Sequence, residues 1–208
     1  MAQRYKDEPK TDSGHKRAEL RRKLRAARKE LNPADVRSRS QQICSSAIGL
    51  LKNSKHIAGY YAFGAEVELS ALLLALEQRG SHSYVPIVQP EFQMLFAPVN
   101  EQTPFDLNRL GIREPLVDPE LFVDASALDA VLVPLVGFDA QCNRMGMGGG
   151  YYDRCFQRRT QGHSTPILIG VAFDMQMVDT VYPQSWDVPL DFVVTESRII
   201  KRPTGDSD

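Results

Sequence analysis

An excess of charge of either sign is missing. Twenty-five basic residues stand against 26 acidic ones, a formal net charge of −1. No global field therefore draws the chain to nucleic acid or to an anionic membrane surface, and any anion site must be local. Cysteine is scarce too: Cys44, Cys142 and Cys155 are an odd number, far apart, with no C-x-x-C pair and no histidine at zinc-ligand spacing. That argues against a disulfide framework or a structural zinc site and suits a reducing cytosol. Long apolar runs are absent, so nothing reaches the length needed to cross a bilayer. The opening residues MAQRYKDEPKTDSG carry charges where a secretory signal would be apolar. Internal repeats and low-complexity segments are also lacking. These absences leave the expectation of a cytoplasmic monomer with no nucleic-acid or membrane partner, and 208 residues suit one α/β domain around a single core.

What the chain does have is an alternation of helical and strand-like patterns. Leu20, Leu24, Ala27 and Leu31 recur at spacings of four, three and four, the buried stripe of a helix that starts near His15 and ends at Asn32-Pro33. Asn32 and Pro33 then supply the cap and first turn of a second helix, which runs to about Lys52. Further on, the pattern predicts strands over His56 to Phe63, Ser83 to Val88, Met94 to Pro98, Ala130 to Val136, Ile167 to Phe173 and Phe192 to Thr195. It predicts helices over Leu69 to Arg79 and Tyr151 to Arg159. The runs AVLVPLV and ILIGVAF are apolar on both alternating faces, as strands covered on two sides require. The expected fold is a three-layer α/β/α sandwich with a mainly parallel sheet. It occupies a single domain over residues 15–200, with polar disordered tails at 1–14 and 201–208.

The strongest chemical signal is Asn143-Arg144-Met145-Gly146-Met147-Gly148-Gly149-Gly150-Tyr151-Tyr152-Asp153-Arg154, placed after an apolar strand and before a helix. Four glycines in five residues remove the Cβ atoms that would keep a ligand from the main-chain N–H groups, and a helix N-terminus would add its positive dipole end. The loop has neither the Lys-Ser/Thr of a Walker A sequence nor a G-x-G-x-x-G register. A bare flexible turn would account for the glycines but not for the flanks. Arg144, two tyrosines and Asp153 make an inventory of phosphate clamp, stacking surface and metal ligand.

Three further features bear on a site. On the first helix, Arg17, Arg21, Arg25 and Arg28 fall within a sector of roughly 80° beside the leucine stripe, at the rim of the expected interface. Glu66 and Glu68 follow the strand that carries Tyr61, where ligands collect in parallel sheets, although helix capping explains such a pair as well. Asp187, before Val188-Pro189, would complete an oxygen shell with Asp153 or simply cap a turn. His15, His56, His82 and His163 have no motif around them.

Together these segments resemble the 5-formyltetrahydrofolate cyclo-ligase family over about Arg17 to Val194. The resemblance rests on RAELRRKLRAARKELNP, EVEL, GIREP at Gly111 to Pro115, PLVGFD at Pro134 to Asp139, and above all NRMGMGGGYYDR. It implies a Rossmann-like, NagB/RpiA-like α/β domain and an enzyme that closes 5-formyltetrahydrofolate to 5,10-methenyltetrahydrofolate, with ATP as co-substrate and Mg²⁺ as cofactor. It implies that Arg17, Ala18, Glu19, Leu20 and Arg21, with Arg144, Met145, Gly146, Met147, Gly148, Gly149, Gly150, Tyr151 and Tyr152, contact ATP. Tyr61 and Glu66 would hold the folate, Asp153 and Asp187 the Mg²⁺, and Arg144 and Asp153 would be catalytic. This chain departs from the family's common pattern at Arg17, often Lys, and at Gly149, where some members carry Lys. The alternatives are a binding module without catalysis and a phosphosugar isomerase on a similar sheet, whose acid/base pair would have to be Glu66 and Glu68.

Overall fold

The computed structural model describes residues 12–108, 111, 113–161 and 165–203. In chain order its elements are α1 (Asp12–Lys29), α2 (Pro33–Leu50), β1 (His56–Ala58), α3 (Ser70–Gln78), β2 (His82–Val88) and β3 (Met94–Val99). There follow β4 (Phe105–Leu107), β5 (Arg113–Pro115), β6 (Ala130–Pro134), β7 (Gly137–Phe138), β8 (Arg144–Met145), α4 (Tyr151–Cys155), β9 (Ile167–Val171), β10 (Phe192–Val194) and β11 (Ile199–Lys201).

Seven strands form one sheet in the order β11-β10-β9-β6-β1-β2-β3. The central pairs β10–β9, β9–β6, β6–β1 and β1–β2 are parallel, and β3 and β11 close the two edges antiparallel. The sheet is α/β as expected, and the two-faced apolar runs are its centre. Ala130 and Leu132 pack with α2 and α3 on one side, while Val131 and Val133 pack on the other against Phe138, Phe156, Val188 and Leu190. The second layer differs from a plain helical one. It is made of the one-turn α4, the β7–β8 hairpin and extended segments, because the chain around the glycine loop is too broken to bury its apolar groups on a long helix.

Local sequence explains most boundaries. Asn32 caps α2, its Oδ1 accepting from the Asp35 N–H at 2.8 Å, with Pro33 in the first turn. α1 begins at Asp12, so the tail expected through residue 14 is shorter. An acid in the first turn suits the helix dipole, and Asp12 pairs with Lys16 one turn on. At the other end, β11 runs to Lys201 and the Arg202 N–H donates to the Asp191 carbonyl, so the expected limit at residue 200 falls inside a strand. The rest of both expected tails, 1–11 and 204–208, lies outside the described residues. β1 stops at Ala58 rather than Phe63, and α4 is one turn rather than two and a half, continued by a 3-10 turn over Gln157–Gln161. No helix among the described residues is long and apolar enough to cross a membrane.

Candidate active site

From β1 the chain moves to β2 on one side of the sheet, and from β6 it moves to β9 on the other. A crevice opens beyond the carboxyl ends of strands at such a switch point, and open α/β sheets take their ligands there. A cleft of about 550 Å³ lies in this position, lined by Pro134 at the end of β6, Leu135 and Val136 after it, Pro86 and Val88 of β2, the glycine loop and the start of α1.

The glycine loop leaves β8 and enters α4. Gly148 has φ +100° and Gly150 φ +63°, conformations that a side chain resists. At Gly149 a Cβ would lie 2.8 Å from the Tyr151 ring, so only glycine allows that ring to fold back here. Arg21 Nε donates to the Gly146 carbonyl at 2.9 Å, and Arg154 Nη2 donates to the Gly149 carbonyl. Arg154 is itself seated over the Phe92 and Tyr151 rings at 4.6 and 5.3 Å. With two of its carbonyls engaged by arginines, the loop is braced on both sides. The short α4 has little macrodipole to offer, so the loop amides and Arg21 carry most of the positive field expected from a helix end.

The arginines of α1 prove central rather than marginal. Arg17, Leu24 and Arg28 are its buried residues, while Arg25, 80° round from Arg17, is exposed. Arg17 Nη1 donates to the Tyr182 carbonyl at 2.8 Å and to Asp187 Oδ2 at 2.7 Å. Arg28 donates to the Leu135 carbonyl at 3.2 Å and lies 3.6 Å from Glu66 Oε1. Guanidinium groups are tolerated at this depth because each finds an acceptor. Leu24 meets Gly137, which lets α1 lie close to the β7–β8 hairpin.

Asp153 and Asp187 both line the cleft. Asp153 Oδ1 accepts from Arg144 Nη2 at 2.6 Å and from the Val188 N–H at 3.0 Å. Arg144 also donates to the Val188 carbonyl, so its buried guanidinium is a strut behind Asp153 more than a free phosphate clamp. Asp187 Oδ2 accepts from Arg17 and from the Gln184 N–H at 2.9 Å. Each carboxylate keeps a second oxygen without a hydrogen bond among the described residues. No cluster of three or more His, Cys, Asp or Glu side chains that could hold a metal occurs among them. Two carboxylates in the wall of this cleft fit Mg²⁺, which usually takes one or two such ligands and completes its shell with water and substrate phosphate.

Glu66 forms the other pole. Its Oε2 accepts from the Phe63 N–H at 3.1 Å. Burial raises its pKa above the ordinary value, against smaller lowering effects of that hydrogen bond and of Arg28. Burial likewise raises the Tyr60 and Tyr152 hydroxyls, and the nearby Glu66 carboxylate adds to both.

Arg17, Arg21, Glu66, Arg144, Gly146, Met147, Gly148, Gly149, Gly150, Tyr151, Tyr152, Asp153 and Asp187 thus share one cleft. Other expected contacts are not in its wall. Ala18 and Glu19 are exposed without lining the cleft, Leu20 is half-buried without lining it, and Met145 is fully buried in the core. Tyr61 is half-buried outside the lining, in the field of Arg113. Glu68 is exposed. Sequence reasoning missed Ser13, Gly14, Gln184 and Trp186, as well as the Arg28–Glu66 pair. The chain's one tryptophan, directly before Asp187, was the available hint for the 184–187 segment.

Comparison with known proteins identifies the family. The model of the 5-formyltetrahydrofolate cyclo-ligase family matches residues 13–196. The 5-formyltetrahydrofolate cyclo-ligase of Haemophilus influenzae is 32% identical over 179 residues, covering 84% of this chain and 95% of that protein. The Escherichia coli K12 protein of the same name is 32% identical over 180 residues, covering 85% and 98%. Among solved structures, the 5,10-methenyltetrahydrofolate synthetase of Aquifex aeolicus superposes with a TM-score of 0.76 at 27% identity, over 92% of this chain and 95% of that one.

Proposed function

The chain belongs to the 5-formyltetrahydrofolate cyclo-ligase family and is an enzyme; on that premise we propose that it uses ATP and Mg²⁺ to close 5-formyltetrahydrofolate through a phosphorylated formyl group. The observation that carries this reading is the single cleft in which the glycine loop, the α1 arginines, two carboxylates and Glu66 meet.

The glycine-loop amides and Arg21 bind the terminal phosphates, and Glu66, held by Arg28 and the Phe63 N–H, orients the folate at the other pole. The formyl oxygen attacks the γ-phosphorus and the bond to ADP breaks. N10 then attacks the activated carbon, the carbon–oxygen bond breaks, phosphate departs and the N10 proton is released. No protein nucleophile is needed, and the residues act by placing the reactants and offsetting negative charge. Asp153 and Asp187 would hold Mg²⁺, whose contribution is to neutralise charge on the phosphates. Arg144 fixes Asp153 for that purpose. The three cysteines are free thiols, in keeping with the reducing cytosol expected for this enzyme.

Absorbance of the methenyl product tests the reading. It should rise only when 5-formyltetrahydrofolate, ATP and Mg²⁺ are all present, and Asp153→Asn should slow it by a factor on the order of 10² or more. A flat trace with all three present would sink the proposal.

A further inference from the structure

Helix α1 runs alongside the cleft and orders it. Arg28 meets Glu66 at one end, Arg21 meets the glycine loop in the middle, and Ser13 lies at the other end, about 22 Å from Arg28 along the axis. With the folate at the Glu66 pole and phosphates at the loop, the remaining part of a nucleotide has to lie towards Ser13.

At that end stands Gln184, which lines the cleft and is half-buried. Its Nε2 faces three oxygens: the Tyr182 carbonyl at 3.1 Å, the Pro183 carbonyl at 3.4 Å and Ser13 Oγ at 3.5 Å. Carbonyls only accept, so the amide nitrogen must occupy this side, which settles the orientation of the carboxamide on chemical grounds. Oε1 is left as an acceptor with no hydrogen bond among the described residues. Its mounting is rigid, because the Gln184 N–H donates to Asp187 Oδ2, which Arg17 also grips.

We infer that Gln184 is the specificity-determining residue for the nucleobase, its Oε1 accepting from the exocyclic amine of adenine and repelling the carbonyl of a 6-oxopurine. The inference rests on the proposed placement of nucleotide phosphates at the glycine loop. A site built around a fixed acceptor selects a donor because the wrong base leaves two acceptors facing each other. Adenine and hypoxanthine differ at this position in that way.

Calorimetric titration of the purified protein with ADP and with IDP, in Mg²⁺, tests it without relying on turnover. The wild type should bind ADP roughly tenfold or more tightly than IDP. Gln184→Leu should bring the two affinities within about threefold, weakening ADP while IDP, relieved of the facing acceptor, binds as well as before or better; that retained IDP binding shows that the variant is folded. Equal affinities in the wild type, or an unchanged ratio in Gln184→Leu, would overturn the role of Gln184 while leaving nucleotide binding intact. Binding of neither nucleotide by the wild type would overturn both this inference and the ATP-dependent reading.

Discussion

At the scale of single residues, the site depends on charged groups buried in complementary pairs. Glu66 is the most telling. Its carboxyl is raised above the ordinary 4.5, first by burial. The folded protein therefore holds this proton more tightly than the unfolded chain, and stability falls as pH rises from about 4.5 through the raised value. Glu66→Gln removes that titration. The melting temperature of the variant relative to the wild type should therefore shift in the variant's favour between about pH 4 and about pH 8, while turnover drops because the folate loses its charged partner. A difference that stays flat across that range would show that Glu66 is not held as described. The glutamate was visible in the sequence as one of a pair after a strand. Its choice over Glu68 came from the family resemblance and not from local spacing, which says nothing of Arg28, 38 positions earlier in the chain but 3.6 Å away.

At the scale of elements, the fixture is the junction between the first turns of α1 and the loop around Tyr182 to Asp187. Arg17 supplies two of its bonds, to a main-chain carbonyl and to a carboxylate whose side chain is 8% exposed. Arg17→Ala leaves that carboxylate without its cation, and breaking one side of a buried pair costs about 3–5 kcal/mol. Urea unfolding should report a loss of that order, against about 0.5 kcal/mol or less for exposed Arg25→Ala. Equal effects of the two substitutions would refute the junction. The sequence pattern found α1, α2 and the core strands, since apolar periodicity and the Asn32-Pro33 cap are local facts. It placed the arginines at the rim beside the buried stripe, whereas Arg17 and Arg21 line the cleft and Arg28 is buried behind Glu66. Periodicity ranks faces by hydrophobicity and is blind to charged side chains that are buried with partners. The same blindness hid Gln184 and made α4 look longer than the one turn that the braced glycine loop permits.

At the scale of the whole molecule, the parallel centre of the sheet matters because its switch point between β1 and β6 places loops from distant parts of the chain around one cleft. The glycine loop was legible in the sequence from its flanks, and the family from its twelve-residue block. That Arg144 braces Asp153, and that Asp187 is gripped by Arg17, required the fold. The central claim is that this cleft delivers a nucleotide phosphate to the formyl oxygen. Transfer of an ¹⁸O label tests it most directly. With 5-formyltetrahydrofolate labelled in the formyl oxygen and unlabelled ATP in unlabelled water, mass spectrometry should find the label in the inorganic phosphate released, one atom for each methenyl product formed. Product formation with unlabelled phosphate would contradict the account.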